Sequence, residues 1–187
     1  VKEKYFTAGL DLFYRQTQNE LLPVISPDNK ISSYNVRDTE IPGAGLDLGV
    51  NVWRIYLESR TAYYFNKKDY SLPSFTFNGG IYYRDTLFNG NLHLKTGFNL
   101  RAVGQQNFYG YDFEKNMTAY NFIGNGSSGA VTDASYQLDF TLIGQIQRRA
   151  IIYFTYENLL NNRYYIVPYY IMPGGGIKLG FSWEFLN

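Results

Sequence analysis

The sequence holds no cysteine and a single histidine, His93. Those shortages exclude disulfide staples, cysteine nucleophiles and the Cys-rich ligand sets of structural metal sites. An excess of either charge is also missing, since 17 Lys and Arg face 16 Asp and Glu, for a net +1. Nothing in that balance points to nucleic acid or to an acidic partner. Long apolar runs are absent, and none approaches the roughly 18 residues that a transmembrane helix requires. No segment carries a persuasive helical period. Mean hydropathy is −0.30, so membrane residence would have to be by strands, whose alternation averages to a modest value. No secretory leader is visible. Val1 starts almost directly on a strand-like pattern, and the expectation is a processed product or a piece of a longer chain.

What the sequence does have is aromatic residues (19%, with 19 Tyr and 14 Phe) and 18 Gly in 187 residues. Period-two alternation recurs over about eight segments. They run from about Tyr5 to Gln16, Gly43 to Asn51, Trp53 to Phe65, Ser74 to Arg84, Asn91 to Val103, Ser135 to Gln147, Ile151 to Asn158 and Ile177 to Phe185. In the sixth, Tyr136, Leu138, Phe140 and Leu142 oppose Gln137, Asp139 and Thr141. Short links are expected at Asn51–Trp53, Leu87–Gly90 and Arg148–Ala150. Long ones are expected at Thr17–Ser33, Asn66–Pro73, Gly104–Ala134 and Leu159–Gly176. Strict alternation of long and short links is the habit of outer-membrane barrels, with short periplasmic turns and long external loops.

Segment length agrees with that habit. A tilted membrane strand needs about nine to eleven residues, whereas globular strands most often have about five to six. The polar faces carry both charge signs, while the opposite faces are nearly free of charge in mid-strand. There Arg or Lys against lipid would cost about 2–4 kcal/mol. Tyr and Trp gather near segment ends, as at a headgroup level. A soluble sandwich or lipocalin-like barrel would share the alternation but turn its apolar faces inward. It accounts for neither the loop order nor the segment length.

Several stretches resemble the C-terminal part of the β-barrel of TonB-dependent outer-membrane receptors and of related putative porins. They are "AGLDLFYRQTQNELLPV", "YNVRDTEIPGAGLDLGVNV", "LPSFTFNGGIYYRD" and, most specific, "YENLLNNRYYIVPYYIMPGGGIKLGFSWEF". The resemblance covers essentially the whole chain in order. It implies the last eight or so strands of a larger up-and-down antiparallel barrel in the bacterial outer membrane, spanning residues 1–187. Solute uptake, a plug, TonB and further strands of the same protein or of a partner chain are implied with it. Gly175 stands where that family usually has Arg, and no plug or TonB box is seen. Length alone equally allows a small closed barrel of eight strands acting as an anchor, adhesion or interaction protein without transport.

Candidate residues follow from the strand faces. Arg54, Glu58, Arg60, Arg84, Lys95, Arg101 and Asp139 are expected to line the lumen. The cations could form a ladder attracting anionic solutes, or could pair with Asp47, Glu58 and Asp139 on neighbouring strands. Tyr109, Tyr111, Phe113 and Tyr120, in the longest link, are candidates for stacking on a ligand. Phe181, Trp183 and Phe185 in "GFSWEF" look like the assembly signal read by the barrel-insertion machinery. His93 lies mid-strand with no nucleophile motif nearby, so no enzyme activity is expected, and a hydrogen-bonded lumen residue is the reading. No cofactor, metal site or nucleic-acid partner is expected, because the carboxylates are spread along strands and not clustered.

Overall fold

The computed structural model describes residues 5–25, 30–65, 72–108, 111–112, 114–118, 130–147, 149–167 and 170–184. The first five strands are β1 (Tyr5–Ile25), β2 (Ile31–Val52), β3 (Ile55–Tyr64), β4 (Phe75–Leu87) and β5 (Leu92–Val103). Four short strands follow: β6 (Gln106–Phe108), β7 (Tyr111–Asp112), β8 (Met117–Thr118) and β9 (Ala130–Thr132). The chain continues with β10 (Ser135–Ile146), β11 (Ala150–Glu157), β12 (Tyr165–Val167), β13 (Tyr170–Ile171) and β14 (Gly176–Trp183). Eight of these form one antiparallel sheet in the order β1-β2-β3-β4-β5-β10-β11-β14. Every connection joins neighbours in an up-and-down meander, so the eight alternating segments of the sequence are the eight wall strands. The remaining six pair locally as β6-β9, β7-β8 and β12-β13.

The sheet is open. Among the described residues no ladder joins β1 to β14, so the closed eight-stranded option is not the arrangement adopted. An open edge presents a row of unpaired backbone donors and acceptors, which is costly in lipid.

Register places every strand's alternating residues on two common faces. The polar face carries Asp47 opposite Arg60, Arg60 opposite Asn78, and Asn78 opposite Arg101. The apolar face carries Leu10 opposite Leu46, Phe98 opposite Phe140, and Phe154 opposite Leu179. Burial is inverted relative to a soluble domain. Leu10, Leu12 and Leu179 are 73%, 78% and 73% exposed, while Gln137 and Asp139 on the polar face are buried. Ala150 is the buried hydrophobic residue among those described. A soluble sandwich or lipocalin-like barrel would show the reverse. The three-ring run Phe98–Phe140–Phe154, with centroids 5.3 and 6.3 Å apart, knits the apolar face across β5, β10 and β11.

Three glycines let aromatic rings lie flat on the polar face. Gly43, Gly97 and Gly180 stand opposite Phe13, Tyr82 and Tyr153. A Cβ at any of the three would run into the facing residue, ring atoms included. The ring fills the space a side chain would have taken, offsetting the weakness of Gly in a strand.

The short links are tight turns at one end of the sheet. Trp53 and Arg54 form a two-residue turn between Val52 and Ile55, with Trp53 at φ 57°. Phe88, Asn89 and Gly90 turn β4 into β5 with φ of 51°, 54° and 93°. Gln147, at φ 48°, turns β10 into β11. The expected long link Thr17–Ser33 differs from the structure. The β1–β2 ladder continues through it to Ile25 opposite Ile31, interrupted by a bulge between Thr17 and Glu20. At the bulge Asn19 takes φ 53°, its amide donates to Asp38 Oδ1 at 2.9 Å, and buried Thr39 donates its hydroxyl to Glu20 at 2.7 Å. At 21 residues β1 is about 70 Å long. The hairpin therefore projects well past the height of its neighbours. Its tip reaches the β7–β8 tongue through an ion pair of Lys30 with Glu114 at 2.8 Å.

Candidate functional site

The polar face is a trough of about 690 Å³ running over β1 to β5. Its floor is made of small residues such as Gly9 and Gly49, and its sides include Tyr56, Glu58, Arg60, Asn78, Tyr82 and Asn99. Small residues leave volume above the backbone, and flanking polar side chains set what may occupy it.

Three cations on this face are matched by carboxylates on the next strand. Arg60 forks onto Asp47 with bonds of 2.7 and 3.1 Å. Arg101 meets Asp139 at 3.0 Å, and Lys178 meets Glu157 at 2.7 Å. The forked geometry at Arg60 fixes both planes. Arg84 and Lys95 are different. They stand directly opposite each other on β4 and β5. The Arg84 guanidinium lies over the Tyr56 ring at 4.2 Å, and the Lys95 ammonium lies over the Tyr82 ring at 3.9 Å. The two tyrosines are themselves opposite neighbours on β3 and β4, with centroids 6.5 Å apart.

Asp139 is the buried node of the face. It accepts from Arg101, from Gln137 Nε2 at 2.8 Å and from the Asn158 amide at 2.9 Å. Asn158, at φ 50°, exchanges hydrogen bonds with the backbone of Asn162, and the Leu159 amide donates to the Leu138 carbonyl. The "ENL" stretch therefore staples the start of the last long link to β10. Further along, the Gly175 amide donates to Asn161 Oδ1 at 3.1 Å.

Of the seven lumen-lining candidates, the structure places Glu58, Arg60, Arg84, Lys95, Arg101 and Asp139 on this face by register. Arg54 is elsewhere. It lies in the β2–β3 turn, stacked over Trp53 at 4.9 Å, and pairs with Asp85 at 2.7 Å and with the Tyr83 hydroxyl. Tyr83 and Asp85 belong to the apolar face, so Arg54 neutralises a charge at the rim instead of extending the ladder. His93 Nδ1 lies 3.1 Å from the Thr86 hydroxyl. Tyr109, Phe113 and Tyr120 lie outside the described residues, and Tyr111 enters only through its backbone pairing in β7. Phe181 and Trp183 share the exposed apolar face of β14 with centroids 5.9 Å apart, and Phe185 lies outside the described residues. Sequence reasoning missed the Gln137–Asp139–Asn158 node. Its one visible signal was the Asn-rich "ENLLNNR" run directly after β11.

An up-and-down antiparallel sheet with its apolar face outward defines the wall of a membrane-type β-barrel. Comparison with solved structures finds that same wall. The siderophore receptor PirA from Acinetobacter baumannii matches over 98% of this chain with a TM-score of 0.68 and 15% identity. A mutant of the ferric enterobactin receptor PfeA from Pseudomonas aeruginosa matches over 97% with a TM-score of 0.68 and 15% identity. A variant of the FrpB iron transporter from Neisseria meningitidis matches over 96% with a TM-score of 0.65 and 12% identity. The chain spans about 30% of the length of each of these three. The fold expected from the sequence, the wall of an up-and-down antiparallel β-barrel, is the fold found. No family model matches the chain, and no curated protein matches it.

Proposed function

We propose that this chain is part of the wall of a solute-uptake barrel in the bacterial outer membrane, of TonB-dependent-receptor or porin type. The inverted distribution of the sheet carries the reading: exposed Leu, Ile, Phe and Trp on one face, and buried or ion-paired polar residues on the other. In lipid the apolar face is satisfied and the polar face lines water. The open edges of β1 and β14 favour completion by further strands over an anchor of eight strands. The same reading gives Phe181 and Trp183 of β14, together with Phe185 two residues further along the sequence, the role of assembly signal for the insertion machinery. A plug and TonB would then gate and energise passage, and no chemistry is assigned to the wall itself.

Two measurements test the proposal. The full-length protein is expected to stay folded and monodisperse only in detergent or lipid, and solubility as a folded monomer in plain buffer would contradict it. Reconstituted into liposomes, it is expected to pass small solutes once the lumen is open. Folded protein in the bilayer with no flux under that condition would sink the transport role and favour an anchor.

A further inference from the structure

We infer that Arg84 and Lys95 form an oxyanion-binding subsite on the polar face, close to the short-turn end of the wall. The inference rests on the uptake reading above and names a chemistry for its solute. Like charges directly opposite each other on adjacent strands destabilise a sheet. This face avoids that elsewhere by giving Arg60, Arg101 and Lys178 a carboxylate at 2.7–3.0 Å. Arg84 and Lys95 have no carboxylate within ion-pair distance among the described residues, and their contacts are ring faces.

A ring face attracts a cation without occupying its hydrogen-bond donors. The donors of both groups thus remain available, on supports that are held in place. Tyr82 is set against Gly80 and Gly97, where a Cβ would collide with it, and Tyr56 is its cross-strand partner. Two adjacent cations over a tyrosine platform, whose rings also line the trough, suit a ligand that brings two or more negative oxygens. Carboxylate and phosphate groups share that chemistry. The height on the wall adds a direction. Arg84 and Lys95 are each three residues from the end of their strand at the β4–β5 turn, or about 10 Å along the chain. An anionic solute would meet them last on its way from the long-loop end.

The test is equilibrium binding of citrate and, separately, of inorganic phosphate to the detergent-solubilised full-length protein, with glycerol as the neutral control. Wild type is expected to bind at least one of the two anions and not glycerol, with affinity falling as salt is raised. Binding of citrate alone identifies a carboxylate-bearing solute, and binding of phosphate alone a phosphate-bearing one. Arg84→Gln and Lys95→Gln should each weaken binding roughly tenfold, while the charge-keeping exchange Arg84→Lys with Lys95→Arg retains it. Absence of binding by both anions, or binding that neither neutral substitution changes, overturns the subsite. The salt titration needs no variant, so the inference stays testable even where a substitution prevents folding. Solute flux unaffected by the loss of anion binding would leave the uptake reading standing. Anion binding without flux would remove that reading and leave the subsite.

Discussion

Removing the Asp139 carboxylate should destabilise the wall more than any other single polar change described above. Asp139 is 3% exposed, and its partners Gln137 and Asn158 are 7% and 1% exposed. Asp139→Ala strands two buried donors, the Gln137 amide and the Asn158 backbone N–H, each costing about 1–3 kcal/mol when left without an acceptor. The Arg101 side chain is 53% exposed and returns to water, so it adds little. The expected total is about 3–5 kcal/mol, the range for breaking a buried charged network by removing one partner. Asp139→Asn keeps one acceptor oxygen but turns an amide N–H toward a donor, so about 1–3 kcal/mol is expected. Urea unfolding in lipid vesicles, followed by fluorescence of the two tryptophans, reads the effect. With a slope of about 1–3 kcal/mol per molar urea, Asp139→Ala should lower the midpoint by roughly 1–5 M. Asp139→Ala with a wild-type midpoint, or Arg101→Ala as damaging as Asp139→Ala, would refute the account of the node.

Four further outcomes follow from the same geometry. Leu179→Arg, in mid-strand on the apolar face, should lower stability in lipid by about 2–4 kcal/mol. Gln145→Arg, on the polar face of β10, should leave the urea midpoint close to wild type. Gly180→Ala drives a methyl group into the Tyr153 ring and should cost about 1–3 kcal/mol. Most of that loss should vanish in a Tyr153→Ala background, which a urea double-mutant cycle would measure. Asp47→Asn breaks an exposed ion pair and should not move the midpoint measurably, although it frees Arg60.

The wall was legible in the sequence because a strand with two different faces writes its period directly into the residues. Leu138, Phe140 and Leu142 against Gln137, Asp139 and Thr141 can be read without coordinates. Strand order was legible from the rhythm of the links. The length of β1 and β2 was not, because Asn19 and Pro23 read as loop punctuation, while the ladder takes Asn19 into a bulge and keeps Pro23, on the edge strand, paired with Tyr34. Arg54 fitted the polar alternation on paper. A two-residue turn starting at Trp53 places it at the rim instead, beside Asp85. The Asp139 node joins residues 2 and 19 apart in the chain, a tertiary meeting that no local period encodes. The cations looked equivalent in the sequence. Pairing geometry separates Arg60 and Arg101, which have carboxylates, from Arg84 and Lys95, which have tyrosine faces.

The central claim is that one face of this sheet meets lipid and the other meets water. The chain has no cysteine, so single cysteines can be placed along β10, which is paired on both sides. In the membrane-embedded full-length protein, cysteines at 141, 143 and 145 should react with a water-soluble thiol reagent. Those at 140, 142 and 146 should resist it and be quenched by a lipid-borne probe. Ile143 is the decisive position, because it is apolar yet lies on the polar face opposite Lys95. Water access at 141, 143 and 145 alone is the expected result. Access at 140, 142 and 146 instead, or no alternation along β10, would contradict the account.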